Sequence, residues 1–181
     1  MQPVQVVVMG VSGCGKSTVG LQLAQALGVP YVEGDDLHSA ENVERMRSGI
    51  ALTDEQRRDW LELIADRLAQ AQAQSAGLVV SCSALKRSYR AVLRRGAPAL
   101  RFVHLHGARA LLAQRTAQRV GHYMPPSLLD SQLAILEPPQ ADELAICCDI
   151  AQPPEQLLRD VLAHLQQDTA IDARARSDAK E

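Results

Sequence analysis

The sequence predicts an α/β protein: a three-layer sandwich around a five-stranded parallel sheet. Three observations predict it. Short β-branched runs alternate with longer helical segments along the chain, the pattern of βα units that build parallel sheets. The first run feeds into Gly10-Val-Ser-Gly-Cys-Gly-Lys-Ser17, a glycine-rich loop set between a strand and a helix. The 181 residues are 46% apolar, enough for one core, and neither a linker nor a repeat divides them. A single domain over 1–167, with a polar, frayed tail over 168–181, is expected.

Taken in order, Val4-Gln-Val-Val-Val-Met9 reads as a buried strand. Residues 16–27 read as a helix with Val19, Leu23 and Leu27 on one face, stopped by Gly28. A shorter strand at 29–33 ends at Gly34-Asp35-Asp36, and a helix at 41–48 is closed by Gly49. Thr53-Asp-Glu-Gln56 is a capping box; it opens a helix to about residue 74 that turns Trp60, Leu61, Ile64 and Leu68 inward. Three further strands fall at 78–82, 100–105 and 144–148. Helices are expected at 86–95, 108–120, 127–136 and 154–167, the middle two separated by the break Gly121-His-Tyr-Met-Pro-Pro126.

Charge and composition exclude several classes. A net charge of −2 gives no broad attraction to nucleic acid or anionic membrane, and no apolar run reaches the ~20 residues of a membrane span. Met1-Gln-Pro-Val lacks the n-region of a secretion signal. Cys14, Cys82, Cys147 and Cys148 form no Cys-x-x-Cys pair, which fits reduced thiols in a cytoplasmic protein better than a zinc site or disulfide framework. Basic residues divide as 16 Arg to 3 Lys. Because ammonium is a compact point charge and guanidinium a planar fork, Lys16 and Lys86 invite a functional reading.

The glycine loop predicts nucleotide binding. Gly10, Gly13 and Gly15 let successive backbone N–H groups (Gly10, Val11, Ser12, Gly13, Cys14, Gly15, Lys16, Ser17, Thr18) turn inward as an anion nest at a helix N-terminus. Lys16 neutralises charge between the β- and γ-phosphates of ATP, and the Ser17 hydroxyl is the metal ligand for Mg2+. The third strand ends in Ser81-Cys82-Ser83 instead of an acidic residue, and no guanine-reading Asn/Thr-Lys-x-Asp appears. Arg109, Arg115 and Arg119 flank the break at 121–126, as in a small P-loop kinase whose arginine-bearing lid, about 115–137, closes over ATP.

A more specific set of motifs comprises Glu33-Gly-Asp-Asp-Leu-His38, Asn42-Val-Glu-Arg-Met46, Leu52-Thr-Asp54 and Cys82-Ser-Ala-Leu-Lys86 with Tyr89-Arg90. It continues in Gly121-His-Tyr-Met124, Leu128-Leu129, Ser131-Gln132 and Leu136-Glu137-Pro138. In these motifs the chain, from about residue 4 to 158, resembles the gluconokinases of the shikimate-kinase-like group, departing from them at Ser39, Ala51, Asp59 and Tyr123. The resemblance implies ATP-dependent phosphorylation of gluconate to 6-phosphogluconate in sugar-acid catabolism, and a homodimer.

Roles follow by residue. Asp35, at the cleft edge where open α/β sheets bind ligands, is the candidate base or positioner for the acceptor hydroxyl; the alternative is a helix cap. His38 is a candidate hydroxyl contact. Lys86 and Arg90, four apart on one helix face, form a candidate carboxylate site with Arg57; the alternative is a solvated basic helix. Arg115 and Arg119 are candidates for stabilising charge on the transferring phosphate, and His122 for covering substrate. A shikimate or nucleoside monophosphate kinase and a non-catalytic ATP-binding regulator are the competing functions.

Overall fold

The computed structural model describes residues 4–118 and 127–178, with 168–178 as backbone only. Of the segment read as a lid, residues 119–126, including Arg119 and His122, lie outside the described residues.

Five strands form one parallel sheet: β1 (Gln5–Met9), β2 (Tyr31–Glu33), β3 (Leu78–Ser81), β4 (Arg101–His106) and β5 (Ala145–Asp149), in the order β2-β3-β1-β4-β5. The strand order reverses at β1, so the crevice that open α/β sheets use for ligands lies beyond its C-terminal end. Strand periodicity sorts the core. Val6 and Val8 face the side covered by α1 (Lys16–Leu27) and α7 (Pro154–Asp178). Val7 and Met9 face the side covered by α3 (Asp54–Ala73) and α4 (Arg87–Gly96). Both faces are apolar because both are covered, as in other parallel sheets. Helices α2 (Ala40–Arg47), α5 (Arg109–Ala117) and α6 (Ser127–Ile135) gather at the crevice end.

The local signals act as chemistry requires. Thr53 Oγ1 accepts the Gln56 N–H at 3.3 Å and Gln56 Oε1 accepts the Thr53 N–H at 3.0 Å, so the capping box opens α3. Ser39, a departure from the family pattern, caps α2 by accepting the Asn42 N–H at 3.2 Å. The 34–37 segment, beyond the second strand, is a 3₁₀ turn. One expectation is corrected. The last helix does not stop at 167 but continues to Asp178. Its alanines and arginines are strong helix formers with no Gly or Pro among them to break the run.

One feature of the core runs against the sequence reading. Arg90 is fully buried, its guanidinium forked onto Glu143 (2.6 and 2.9 Å) and bonded to the carbonyls of Ala84 and Leu85. Glu143, 1% exposed, also accepts the Gln140 N–H at 3.0 Å. Arg90 holds its carboxyl below the ordinary value. The pair staples the β3–α4 connection to the 3₁₀ turn Ala141–Glu143 that leads into β5. Arg90→Ala should therefore lower unfolding free energy by about 3–5 kcal/mol, read from urea midpoints, because it strands a buried carboxylate. Replacing both partners with apolar residues of similar volume should recover much of that loss.

His104 in β4 adds a pH dependence. It is 4% exposed and its Nε2 is buried without a hydrogen-bond partner. Burial, aided by the charges of His106 and Arg90, pushes its pKa down to about 4. The unfolded chain then takes up a proton that the native state refuses, so stability should fall as pH drops from about 6.5 toward 4. Denaturant midpoints should show this, with a shallower fall in His104→Leu.

Candidate active site

The phosphate loop joins β1 to α1 and is seated on its neighbours. Gly13 lies at φ +81°, and a Cβ there would strike Thr116 Oγ1 and come within 2.8 Å of the Leu112 carbonyl of α5. The Gly10 N–H donates to the Ser83 carbonyl beyond β3 at 3.3 Å. Ser12 is buried and its N–H donates to Gln132 Oε1 of α6 at 2.6 Å. Lys16, 9% exposed, folds its Nζ back to the Val11 carbonyl at 3.2 Å. Val11 and Cys14 are buried, while Ser17 is half-buried and Thr18 exposed beyond them. Cys14 packs in the core.

Beside this loop the missing acidic residue of β3 is replaced from the next strand. The β2–β3 register sets Glu33 against Ser81. Ser81 Oγ donates to Glu33 Oε1, the Tyr31 hydroxyl donates to Glu33 Oε2 at 2.8 Å, and the Ser17 hydroxyl reaches the same carboxylate. Burial alone would raise the Glu33 pKa; the hydroxyls of Ser17, Ser81 and Tyr31 outweigh it and hold the carboxyl below its ordinary value. An ionised carboxylate touching Ser17 is an oxygen donor set of the kind that hard divalent cations take, by themselves or through water. Among the described residues no group of three or more His, Cys, Asp or Glu could hold a metal ion. Sequence reasoning missed Glu33, whose signal was the acid-Gly-acid spacing Glu33-Gly34-Asp35.

Asp35 follows in the 3₁₀ turn, which Gly34 lets run flush against the Ser81 carbonyl, where a Cβ would collide. Lys16, Glu33 and Asp35 all act electrostatically on the buried Cys82 thiol, so the three converge at the end of β3. Trp60, expected only to pack the core, also positions this turn. Its Nε1 donates to the Gly34 carbonyl at 2.7 Å, and its ring stacks on His38 at 4.1 Å between centroids. His38 is held neutral, its pKa pushed down to about 4 by burial and then by Arg57. Its Nδ1 is buried without a hydrogen-bond partner.

The expected cation cluster is only partly assembled. Lys86 Nζ meets Asp54 at 2.7 and 2.8 Å and lies 5.6 Å from the centre of the Tyr89 ring. Arg57, 9% exposed, donates to the Leu52 carbonyl and, at 3.4 Å, to the Tyr89 hydroxyl. That hydroxyl donates to Asp54 at 2.6 Å. Arg57 and Lys86 thus meet at Tyr89 and Asp54, but Arg90 does not join them. Lys86 is the N-cap of α4, with extended backbone (φ −101°, ψ 150°), so the four-residue spacing that places two helical side chains on one face does not apply. Arg90 belongs to the buried pair described above.

Two cavities flank the phosphate loop region. One of about 150 Å³ is lined by Asp54 and Arg57 on one side and by Leu128, Ser131 and Gln132 of α6 on the other. The second, about 270 Å³, lies between Gly13, Thr18 and the segment after β5, including Ile150 and Gln152. Arg115 lines it and donates to the Ile150 carbonyl at 3.0 Å. Arg115 and Arg109 do not act together: Arg109 is forked onto Asp130 of α6 at 2.8 Å.

The chain's relatives are consistent with this geometry. Residues 6–139 match the AAA domain family model. The chain is 46% identical to a gluconokinase of Gluconobacter oxydans (strain 621H), over 92% of this chain and 93% of that one. It is 41% identical to the thermosensitive gluconokinase of Escherichia coli (strain K12), over 87% of each. The crystal structure of a gluconokinase from Sinorhizobium meliloti 1021 superposes with a TM-score of 0.86 at 48% identity, covering 97% of this chain and 98% of that one. No described helix is long and apolar enough to cross a membrane. Likeness of this extent, in sequence and in fold together, makes the chain a member of the gluconokinase family.

Proposed function

We propose that the chain transfers the γ-phosphoryl group of ATP to the 6-hydroxyl of D-gluconate. The observation that carries this is the pairing of a phosphate loop with a separate cavity lined by Arg57 and by Asp54, the carboxylate that holds Lys86. The gluconokinase names of its relatives support the acceptor. A six-carbon acid anchored through its carboxylate at Lys86 and Arg57 presents its far end, the 6-hydroxyl, to the loop. Lys86 supplies a point charge and Arg57 a fork.

The residues then divide the work. Loop N–H groups from Gly13 and from Gly15 to Thr18, with the ammonium of Lys16, hold the phosphates, while those of Gly10, Ser12 and Cys14 hold the loop itself. Asp35 orients the acceptor hydroxyl and takes its proton as the new oxygen–phosphorus bond forms and the bond to the ADP oxygen breaks. His38, kept neutral, is available to hydrogen-bond the polyol. Arg115 walls the cavity for the base and ribose, so we assign it to nucleotide positioning and no longer to charge stabilisation. Mg2+ fits at Ser17 with Glu33 behind it and, when bound, supplies charge neutralisation to the phosphates. Arg119 and His122 keep the roles the resemblance implies. We assign the reaction to the cytoplasm and the active form to a homodimer. No observation favours a shikimate or nucleotide kinase, or a non-catalytic regulator.

Steady-state ADP release tests the assignment. It should require both gluconate and Mg2+, and turnover with shikimate or nucleoside monophosphates but none with gluconate would refute it. Lys16→Ala should lower kcat by about 10²-fold or more. Glu33→Gln should raise the Mg2+ concentration needed for half-maximal rate by about 10-fold or more, as loss of an outer-sphere partner does, with little change in the KM for gluconate.

A further inference from the structure

Gln132 belongs to two sites at once. Its side chain lines the 150 Å³ cavity opposite Asp54 and Arg57, and its Oε1 accepts the Ser12 N–H of the phosphate loop at 2.6 Å across 120 residues of sequence. Because Ser12 N is a donor, only the amide oxygen can face it, so the amide NH₂ is turned away from that bond in a fixed plane. Ser12 itself is 3% exposed, so its N–H is a buried donor whose loss of partner would be costly. The next residue, Gly13, is pressed against Leu112 and Thr116 of α5. Movement at Ser12 is thus passed into the loop instead of being absorbed by slack around it.

We propose that Gln132 is a positioning residue that couples occupancy of the acceptor cavity to the conformation of the phosphate loop. An acceptor filling the cavity restricts the Gln132 side chain. A restricted Gln132 holds Ser12, and with it the run of amides that follows, in the phosphate-binding form. By reciprocity, nucleotide on the loop favours the acceptor to the same degree. The inference rests on the reading of that cavity as the acceptor site.

Calorimetry with a non-hydrolysable ATP analogue and Mg2+, with and without saturating gluconate, tests it. In the unaltered protein gluconate should tighten analogue binding by roughly 5-fold or more. Gln132→Met keeps the length and apolar bulk of the wall but cannot accept the Ser12 N–H. Binding of each ligand alone should weaken, and the ratio of analogue affinities with and without gluconate should fall to about unity. Gln132→Ala, shown to be folded by a cooperative melting transition, should behave likewise. Unchanged coupling in Gln132→Met, or no coupling in the unaltered protein, would overturn the proposal. Absence of any gluconate binding, with or without nucleotide, would instead remove the acceptor reading, and this inference with it.

Discussion

The site depends on a phosphate loop that lies flush against its surroundings. A loop that reserves part of its N–H groups for a ligand cannot hold its own shape with them, so that shape must be imposed from outside. Here the imposition is steric and polar together. α5 leaves room only for hydrogen at residue 13, the Ser83 carbonyl holds the Gly10 N–H, and Gln132 holds that of Ser12. The reversal of strand order at β1 then brings the ends of β3 and β4 to either side of the loop, and the catalytic groups arrive from those strands and their neighbours.

Charge is arranged to suit that frame. A carboxylate at the end of β3 would have been the ordinary support for a cation on Ser17; this chain puts a serine there and lets β2 supply Glu33. Three hydroxyls keep that carboxylate ionised despite its burial. The neutral groups are as deliberate as the charged ones: His38, half-buried against Trp60 and near Arg57, stays unprotonated well below neutral pH. On the proposed reading it can meet a polyol hydroxyl without adding another positive charge beside Arg57.

Much of this was legible in the sequence, because the requirement was local. The phosphate loop states its backbone conformations as glycine spacing, the α3 start states its hydrogen bonds as Thr53 and Gln56, and the alternation of strands and helices states the parallel sheet. Where the requirement was non-local the signal thinned. The role proposed for Glu33 depends on a register across 48 residues, and that proposed for Gln132 on a contact across 120. Both lay within motifs that the sequence marked without explaining. The end of the last helix was placed too early for a different reason: polarity was weighed above the alanines and arginines that favour helix beyond residue 167.

The fate of the expected Lys86–Arg90 pair shows how burial changes what an arginine is for. Spacing by four suggested two cations on one face, but residue 86 precedes the first helical residue, so the helical geometry never relates them. Arg90 instead goes inward, and there a guanidinium must be fully paired or it would unfold its surroundings; Glu143 and two carbonyls satisfy it. Those carbonyls belong to Ala84 and Leu85, so the buried cation fixes the loop that presents the exposed one. Lys86 is left with a solvent-facing bond to Asp54, of a kind worth about 1 kcal/mol or less, which an incoming carboxylate can replace at little cost. Arg57, buried and tied to the Leu52 carbonyl, is not so easily moved. One cation is fixed and one is exchangeable, and that division suits capture of a small mobile acid better than two equivalent charges on a helix face would.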